Sequence, residues 1–289
     1  MFLESRGVRL HYRRWWVEHA LGVVVIAHGL GEHSGRYRHL ARALNAHGYS
    51  VYALDHAGHG QSEGRRGDIK DFSAYAEDLA CCIRLVRHEN PDQRIHLLGH
   101  SMGGVIACAT VARAADGAQV DSLILSAPAF AGKSEPGKLE VGLIRLLAKV
   151  SPGLSLPNRL NPSYISRDPG TVQEYCSDDL VHDRVTPRWF LAYRKTRDQL
   201  LAHPEAIAIP TLTLLPEGDE LVAPDVTRHW QQRLQGAQHR LRVFPGAYHE
   251  VFNEPDAAEQ ALTATLEHLA EHAPSDQRAG VSERQQAAT

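Results

Sequence analysis

The sequence predicts an α/β fold in which a mostly parallel β-sheet is covered by helices on both of its faces. Runs of apolar and β-branched residues alternate along the chain with stretches that have helical periodicity. The apolar runs contain few polar positions, as expected of strands that are buried on both faces. The helical stretches between them are long enough to connect one parallel strand to the next.

The predicted elements follow one another in a regular order. The buried strands are residues 22–29, 50–55, 94–100, 120–128, 211–219 and 239–246. The helices are residues 35–48, 71–88, 102–115, 225–234 and 256–271, and Asp71 is the predicted N-cap of the second. Residues 9–17 alternate between apolar and polar side chains, which predicts an antiparallel edge hairpin with the first buried strand.

One region interrupts this alternation. From 131 to 207 the sequence contains several prolines, short helical patterns and no predicted strand, which indicates a mainly helical insertion into a core formed by residues 1–130 and 208–272. Within it, residues 138–150 place leucines and valines along one side of a helix. The last stretch, 273–289, is polar and rich in small residues and is predicted to be disordered.

Composition excludes several classes of function. The 289 residues carry a net charge of −3 with no basic stripe, which argues against nucleic acid as a partner. The four cysteines have neither disulfide-framework nor zinc-site spacing, so we expect a reduced, cytoplasmic setting without a metal or other cofactor. The N-terminus lacks the apolar core of a signal peptide, and no apolar run is long enough to span a membrane.

The most informative motif is GHSMG at 99–103. It follows a predicted strand directly and precedes a predicted helix directly, the context in which the G-x-S-x-G pattern forms a nucleophile elbow. Glycines at 99 and 103 leave room for a sharp turn that exposes the hydroxyl of Ser101. The alternative is a glycine-rich turn that serves only packing.

A serine nucleophile needs a base, and the base needs an acid that orients it. Asp219 and His249 both lie just past predicted strands, in the chain order Ser, Asp, His that this architecture uses. Other candidates remain open. The alternative acids are Glu217, Glu220 and, less suitably because it begins a strand, Asp121. The alternative bases are His28, His33, His56 and His59, all of which precede the serine.

The oxyanion that forms during acyl transfer needs two hydrogen-bond donors. The sequence predicts the backbone amide of Met102, directly after the serine, as one of them. The other is the amide of Leu30, in the loop that follows the first buried strand. Gly29 and Gly31 would let this loop approach the reacting carbon. An ordinary strand–helix turn would show the same residues.

Several motifs together resemble one family. HGLGEHSGRY (28–37), DHAGHGQSEG (55–64), GHSMGG (99–104) and GAYHEVFNE (246–254) are similar to segments of the monoacylglycerol lipases and their lysophospholipase-like bacterial relatives, which belong to the α/β-hydrolase superfamily. The resemblance covers roughly residues 7–272. It implies an α/β-hydrolase fold, a Ser101–Asp219–His249 triad, and the Leu30 and Met102 amides as the oxyanion hole. It also implies that the insertion is an amphipathic cap over an acyl tunnel.

The same resemblance bears on the substrate head group. It implies that Glu32 and Arg36 lie near the polar end of the pocket, where glycerol binds. The alternative is that they pair with each other, with Tyr37 or with a loop carbonyl. The mammalian lipase has a second histidine shortly after the catalytic one, whereas this chain has Phe252 there. The sequence thus leaves the head-group preference open.

The sequence supports several functions, which can be placed in order. The first is a lipase that hydrolyses monoacylglycerol through an acyl-enzyme, and its alternatives are a lysophospholipase or a general carboxylesterase. A hypothesis of another class is a ligand-binding protein that has the hydrolase fold but no activity. Peripheral contact with a membrane is suggested by the 138–150 stripe and by the nearby basic residues Lys133, Lys138, Arg145 and Lys149. The alternatives are that the stripe serves core packing and that the basic residues form a solvated polar face. The sequence predicts no oligomeric state.

Overall fold

The computed structural model describes residues 1–113, 118–236 and 238–273 of the chain. Its centre is an eight-stranded sheet with the strand order β1-β2-β4-β3-β5-β6-β9-β10. The bounds of these strands are β1 Phe2–Ser5, β2 Val8–Trp15, β3 Gly22–Ala27, β4 Tyr49–Leu54, β5 Ile95–His100, β6 Ser122–Ser126, β9 Thr211–Pro216 and β10 His239–Phe244. Two shorter strands, β7 Leu156–Pro157 and β8 Arg184–Val185, form a separate pair.

The sheet is parallel from β4 to β10, as predicted, and antiparallel at the other edge. There β1 pairs with β2, and β2 pairs with β4. The predicted hairpin between residues 9–17 and the first buried strand is therefore wrong, because β4 lies between β2 and β3. Alternation along one strand indicates that its two faces differ in polarity but carries no information on which strands it pairs with.

Helices cover both faces of the sheet. Their bounds are α1 Arg38–Ala46, α2 Ser73–Glu89, α3 Met102–Ala112, α4 Lys138–Val150, α5 Pro169–Ser177, α6 Pro187–Ala202, α7 Pro224–Gln232 and α8 Ala258–Glu271. Successive residues of a strand enter opposite cores: Val23 and Val25 pack on one face, and Val24 on the other. This burial on both sides explains why the strands are apolar throughout. The predicted fold class is confirmed.

The segment between β6 and β9 holds α4, α5 and α6, so it is mainly helical as predicted. The expectation that it contains no strand is wrong, because β7 and β8 pair within it. Each of these strands is two residues long, too short to produce a recognisable alternation in the sequence. We call residues 131–207 the insertion.

The remaining expectations concern the chain's end, cysteines and membrane segments. The tail predicted to be disordered comprises residues 273–289. Its first residue, Ala273, is buried, and residues 274–289 lie outside the described part of the chain. The four cysteines are free thiols. Within the described residues, every helix is too short or too polar to cross a bilayer.

The parallel strands bring distant loops to one edge of the sheet. Ala27 pairs with Gly99, so the loop after β3 and the turn after β5 leave the sheet side by side. Pro216 pairs with Phe244 at the ends of β9 and β10, so the loops containing residues 219 and 249 also emerge together. The carboxyl edge of a parallel sheet is where ligands bind in open α/β folds.

Candidate active site

Ser101 occupies the sharp turn between β5 and α3. Its backbone torsions, φ 53° and ψ −120°, lie in a region that residues other than glycine rarely adopt. Its amide donates to the Ser126 carbonyl at 3.0 Å. Its carbonyl accepts from the amides of Gly104 and Ala129, each at 3.0 Å. These bonds hold the strained residue at the carboxyl edge of the sheet, and its side chain is partly exposed there.

The glycines around the serine are required by close backbone approach. A Cβ on Gly99 would lie 2.5 Å from the carbonyl oxygen of Gly103. A Cβ on Gly103 would overlap the carbonyl oxygen of Ala27, at the end of the neighbouring strand β3. Both obstacles are backbone atoms of buried elements, which cannot move aside cheaply.

We expect Gly103→Ala to lower the free energy of unfolding by about 3 kcal/mol or more, because the added methyl group meets fixed backbone. Gly142→Ala is the matched control, since no atom lies within 4 Å of that methyl position in α4. Alanine there should raise stability by about 0.5 to 1 kcal/mol through helix propensity. Urea denaturation of both variants measures the difference, and equal stabilities would contradict the proposed packing of the turn.

His249 and Asp219 form a direct polar contact at this edge. His249 Nδ1 lies 2.6 Å from Asp219 Oδ2. The other carboxylate oxygen, Asp219 Oδ1, accepts the amides of Leu221 at 2.8 Å and Val222 at 3.0 Å. Both side chains are buried. The loop amides fix the carboxylate, and the carboxylate in turn fixes the imidazole ring.

The electrostatics of this pair favour a charged histidine. Burial raises the pKa of Asp219, but the His249 ring and the two loop amides outweigh it, and the pKa lies below its ordinary value. Burial lowers the pKa of His249, but Asp219, Glu250 and Glu32 outweigh it, and the pKa lies above its ordinary value. An imidazolium at this position is thus stabilised, which is the property required of a base that accepts a proton in a transition state.

Ser101 and His249 line the same cleft. In the described structure Asp219 and His249 are hydrogen-bonded to each other. Ser101 lines the same cleft but does not form a hydrogen bond with His249. Nucleophile–base hydrogen bonds are often long in the absence of substrate.

The alternative acids have other partners. Glu217 is half-exposed and accepts from Arg228 at 2.8 Å. Glu220 pairs with Lys133 at 2.7 Å. Asp121 accepts the Ile95 amide at 2.9 Å, at the amino end of β5 and far from the cleft. Among the carboxylates weighed from the sequence, only Asp219 is bonded to His249.

The alternative bases are also engaged elsewhere. His28 has both ring nitrogens in use: Nδ1 lies 2.8 Å from the Gly29 carbonyl oxygen, and Nε2 accepts the His56 amide at 3.0 Å. His33 Nε2 lies 2.8 Å from Asp178 Oδ2. The buried rings of His56 and His59 pack on His28, and burial holds the pKa of each well below its ordinary value.

The loop after β3 passes directly over the serine. A Cβ on Gly29 would lie 3.3 Å from the Cβ of Ser101, and Leu30 lines the cleft. Gly31 has φ 78°, and its carbonyl accepts the amide of His182 from the insertion at 2.8 Å. Met102 begins α3 on the other side of Ser101. The two predicted oxyanion donors thus belong to segments that flank the serine.

Glu32 and Arg36 form a buried ion cluster. Arg36 Nη1 lies 2.8 Å from Glu32 Oε2. The other oxygen, Glu32 Oε1, accepts the Gly29 amide at 2.6 Å and the Tyr37 hydroxyl at 2.7 Å. The two residues therefore make the mutual pair that the sequence left open as an alternative. Glu32 also lines the cleft, whereas Arg36 lines a small cavity beside it.

Sequence reasoning missed the second carboxylate of this cluster. Glu250 receives Arg36 in a two-pronged ion pair, with Nη1–Oε1 at 2.5 Å and Nη2–Oε2 at 2.8 Å. Its side chain is only 8% exposed and lies next in the chain to His249. An acidic residue directly after a candidate base was the available signal. Nothing in the sequence indicated that its partner would be Arg36, 214 positions away.

The insertion supplies the other wall of the cleft. Leu160, Pro162, Ile165 and Tyr175 line it together with Leu30 from the core. The Glu250 amide donates to the Ile165 carbonyl at 2.8 Å, which ties the insertion to the loop that carries His249. The cleft is therefore apolar on the insertion side and acidic where Glu32 and Glu250 line it.

A parallel sheet with a serine on a strained strand–helix turn, and with an acid–histidine pair on loops after later strands, defines an α/β-hydrolase of the serine type. Comparison with known proteins narrows this class. The model of the Hydrolase_4 family, described as serine aminopeptidase S33, matches residues 18–256, and the chain belongs to this family.

Individual relatives agree with this assignment. A monoacylglycerol lipase of Mycolicibacterium smegmatis is 36% identical over 86% of this chain and 89% of its own length. The phospholipase YtpA of Bacillus subtilis is 28% identical over 84% of this chain and 93% of its own. The crystal structure of a monoacylglycerol lipase from Paleococcus ferrophilus has a TM-score of 0.82 and 32% identity, and covers 91% of this chain and 99% of that one. The family resemblance found in the sequence is confirmed.

Proposed function

We propose that this protein is a serine hydrolase that cleaves monoacylglycerol to a fatty acid and glycerol. The observation that carries the proposal is the 2.6 Å contact between His249 Nδ1 and Asp219 Oδ2 in the cleft that Ser101 enters from its strained turn. The monoacylglycerol lipases among the relatives support this choice of substrate.

Ser101 is the nucleophile in the proposed mechanism. His249 Nε2 accepts the hydroxyl proton as Oγ attacks the ester carbonyl, and Asp219 stabilises the imidazolium that forms. The tetrahedral intermediate collapses when His249 returns the proton to the glycerol oxygen, which leaves an acyl-enzyme. Water then enters, gives a proton to His249 and attacks the acyl carbon, and the proton returns to Ser101 as the fatty acid leaves.

The oxyanion of both tetrahedral intermediates is held by the amides of Leu30 and Met102. Each donor of this kind lowers the barrier by about 3 kcal/mol. The Leu30 segment depends on its neighbours for its position, because Glu32 accepts the Gly29 amide and His182 donates to Gly31. The N-terminus of α3 adds a favourable dipole at the same point.

The cleft suits an ester with one apolar chain and a small hydroxylated head group. Leucine, proline and isoleucine side chains from the insertion face the acyl side, where residues 131–207 act as a cap. Glu32 and Glu250 provide acceptors for glycerol hydroxyls at the acidic end. Arg36 contacts both carboxylates and acts on the head group through them. An acidic end disfavours a phosphate, which argues against a lysophospholipid substrate.

A substrate panel of one acyl length tests this proposal. We expect kcat/KM for a long-chain monoacylglycerol to exceed that for the matching lysophosphatidylglycerol, whose head group has a net negative charge, by at least about tenfold, because like charges oppose the phosphate. The panel includes acetate and butyrate esters and an aminoacyl anilide, the substrate type of an aminopeptidase. Highest turnover on the lysophospholipid, the anilide or the shortest ester would contradict the proposal.

The insertion also presents an apolar surface outward. Along α4, Leu139, Leu143, Leu146 and Val150 are 93%, 56%, 56% and 76% exposed, and their spacing places them on one helix face. Lys138, Arg145 and Lys149 lie on the same helix. We propose that this face, the α4 stripe, rests on the surface of an anionic membrane from which the substrate enters the cleft.

The α4 stripe is tested by sedimentation with anionic phosphatidylglycerol vesicles. We expect the double variant Leu143→Glu with Leu146→Glu to weaken vesicle binding by at least about tenfold, because two apolar side chains leave the interface. Trp16→Glu is the matched control, an equally exposed apolar residue outside the insertion (58%). Equal loss of binding in both variants, or in neither, would contradict the assignment to α4.

A further inference from the structure

The ion cluster beside His249 contains more negative charge than it needs for pairing. Two buried carboxylates, Glu32 and Glu250, share the single guanidinium of Arg36. Although burial opposes ionisation, Arg36 lowers the pKa of Glu32 to about 2. Both carboxylates raise the pKa of Arg36, which therefore stays charged. The cluster as a whole carries one net negative charge.

This charge lies close to the catalytic ring. Glu250 is the next residue after His249, and Glu32 and Glu250 line the same cleft as that ring. Within the described residues, the other titratable groups around His249 are Asp219, His100 and, across the cleft, Tyr175, whose pKa is raised by burial so that it is neutral. Asp219 is the partner in the triad, and burial lowers the pKa of His100 to about 4, so His100 is neutral above that pH. Lys133 donates to the backbone carbonyl of Asp219 at 3.1 Å, and its charge is paired with Glu220 at 2.7 Å.

The cluster is also rigid. Asn253 Nδ2 donates to Glu250 Oε2 at 2.7 Å, and the guanidinium of Arg36 stacks on the ring of Tyr175 at 4.8 Å. Glu32 accepts the Gly29 amide in the oxyanion loop. A fixed charge of this kind acts on a neighbouring ring without reorganisation during the reaction.

We propose that Glu250, held by Arg36, is a positioning residue that strengthens His249 as a base through the net negative charge of the Glu32–Arg36–Glu250 cluster. This inference rests on the proposed hydrolase function and adds a second carboxylate to the control of the histidine. Asp219 sets the orientation and tautomer of the ring from the Nδ1 side. The negative charge of the cluster stabilises the same imidazolium electrostatically from the side of the cleft.

The test is the pH dependence of kcat/KM on a soluble ester. Activity requires neutral His249, so it rises with pH through the pKa of this residue, and we expect a midpoint above the ordinary histidine value of about 6.5. Glu250→Gln removes a negative charge with little change of shape and should lower the midpoint by about half a pH unit. Asn253→Lys keeps a donor beside Glu250 and adds a positive charge that offsets the negative charge of the cluster, so it should lower the midpoint as well.

Glu271→Gln is the matched control, because Glu271 is an exposed partner of Arg240 near the opposite edge of the sheet. Its midpoint should equal that of the unmodified protein. A purely structural role for Glu250 would change kcat or the melting temperature without moving the midpoint. If Glu250→Gln fails to fold, Asn253→Lys decides alone.

The outcomes separate the two proposals. No ester hydrolysis by the unmodified protein would overturn the proposed function. An active protein in which Glu250→Gln and Asn253→Lys leave the midpoint unchanged, or raise it, would overturn only the role of the cluster.

Discussion

Replacing Ser101 with alanine should lower kcat for ester hydrolysis by about 10⁵- to 10⁶-fold, the loss that follows removal of a triad nucleophile. The reason is the loss of the covalent route, since no acyl-enzyme forms without Oγ. Stability should stay close to that of the parent or rise slightly, because a strained, partly exposed residue loses only its hydroxyl.

The control for this variant is Ser177→Ala, at an exposed serine whose hydroxyl only donates to backbone carbonyls of its own helix. Steady-state hydrolysis of a long-chain monoacylglycerol measures both. If Ser101→Ala retained more than about a hundredth of the parent rate, the oxyanion hole alone would not explain it, and another nucleophile would be required.

Asp219→Asn should lower kcat by about 10⁴-fold, because an amide favours the wrong tautomer of the neighbouring histidine. The amide NH₂ donates to His249 Nδ1, which moves the ring proton to Nε2 and leaves no site for the proton of Ser101. The remaining amide oxygen still accepts the Leu221 and Val222 amides, so the loop keeps its shape.

The matched control is Glu217→Gln, two positions earlier in the same loop. Its partner is Arg228 at 2.8 Å, so its loss should change kcat by less than about threefold, as expected for an exposed ion pair. A large loss of kcat in Glu217→Gln together with a small loss in Asp219→Asn would show that Glu217, and not Asp219, is the acid that orients His249.

The sequence was most informative where one local motif determined the backbone conformation. The strand–GHSMG–helix context predicted the turn at Ser101, because only a narrow range of residues fits a turn whose neighbours are backbone atoms. The loop positions of Asp219 and His249 followed from the rule that parallel strands end at one edge. Their hydrogen bond depends on side-chain direction, which the pattern left open.

The sequence was least informative where distant segments meet. The pairing of β2 with β4 was missed because alternation does not encode the neighbouring strand. The contact of Arg36 with Glu250 was missed because either residue alone has the pattern of an ordinary surface charge. Only the fold brings these positions together, and the result is a buried cluster beside His249.

The most direct test of the account is to map the adduct that a long-chain fluorophosphonate leaves on the native protein. Incubation at mildly alkaline pH, which favours neutral His249 because its pKa lies above the ordinary value, followed by intact-mass and peptide analysis identifies the modified side chain. If Ser101 is the nucleophile of the proposed triad, we expect one adduct per chain, on Ser101, and none when the protein is heat-denatured before labelling. An adduct on any other residue, or no adduct on the folded protein, would contradict it.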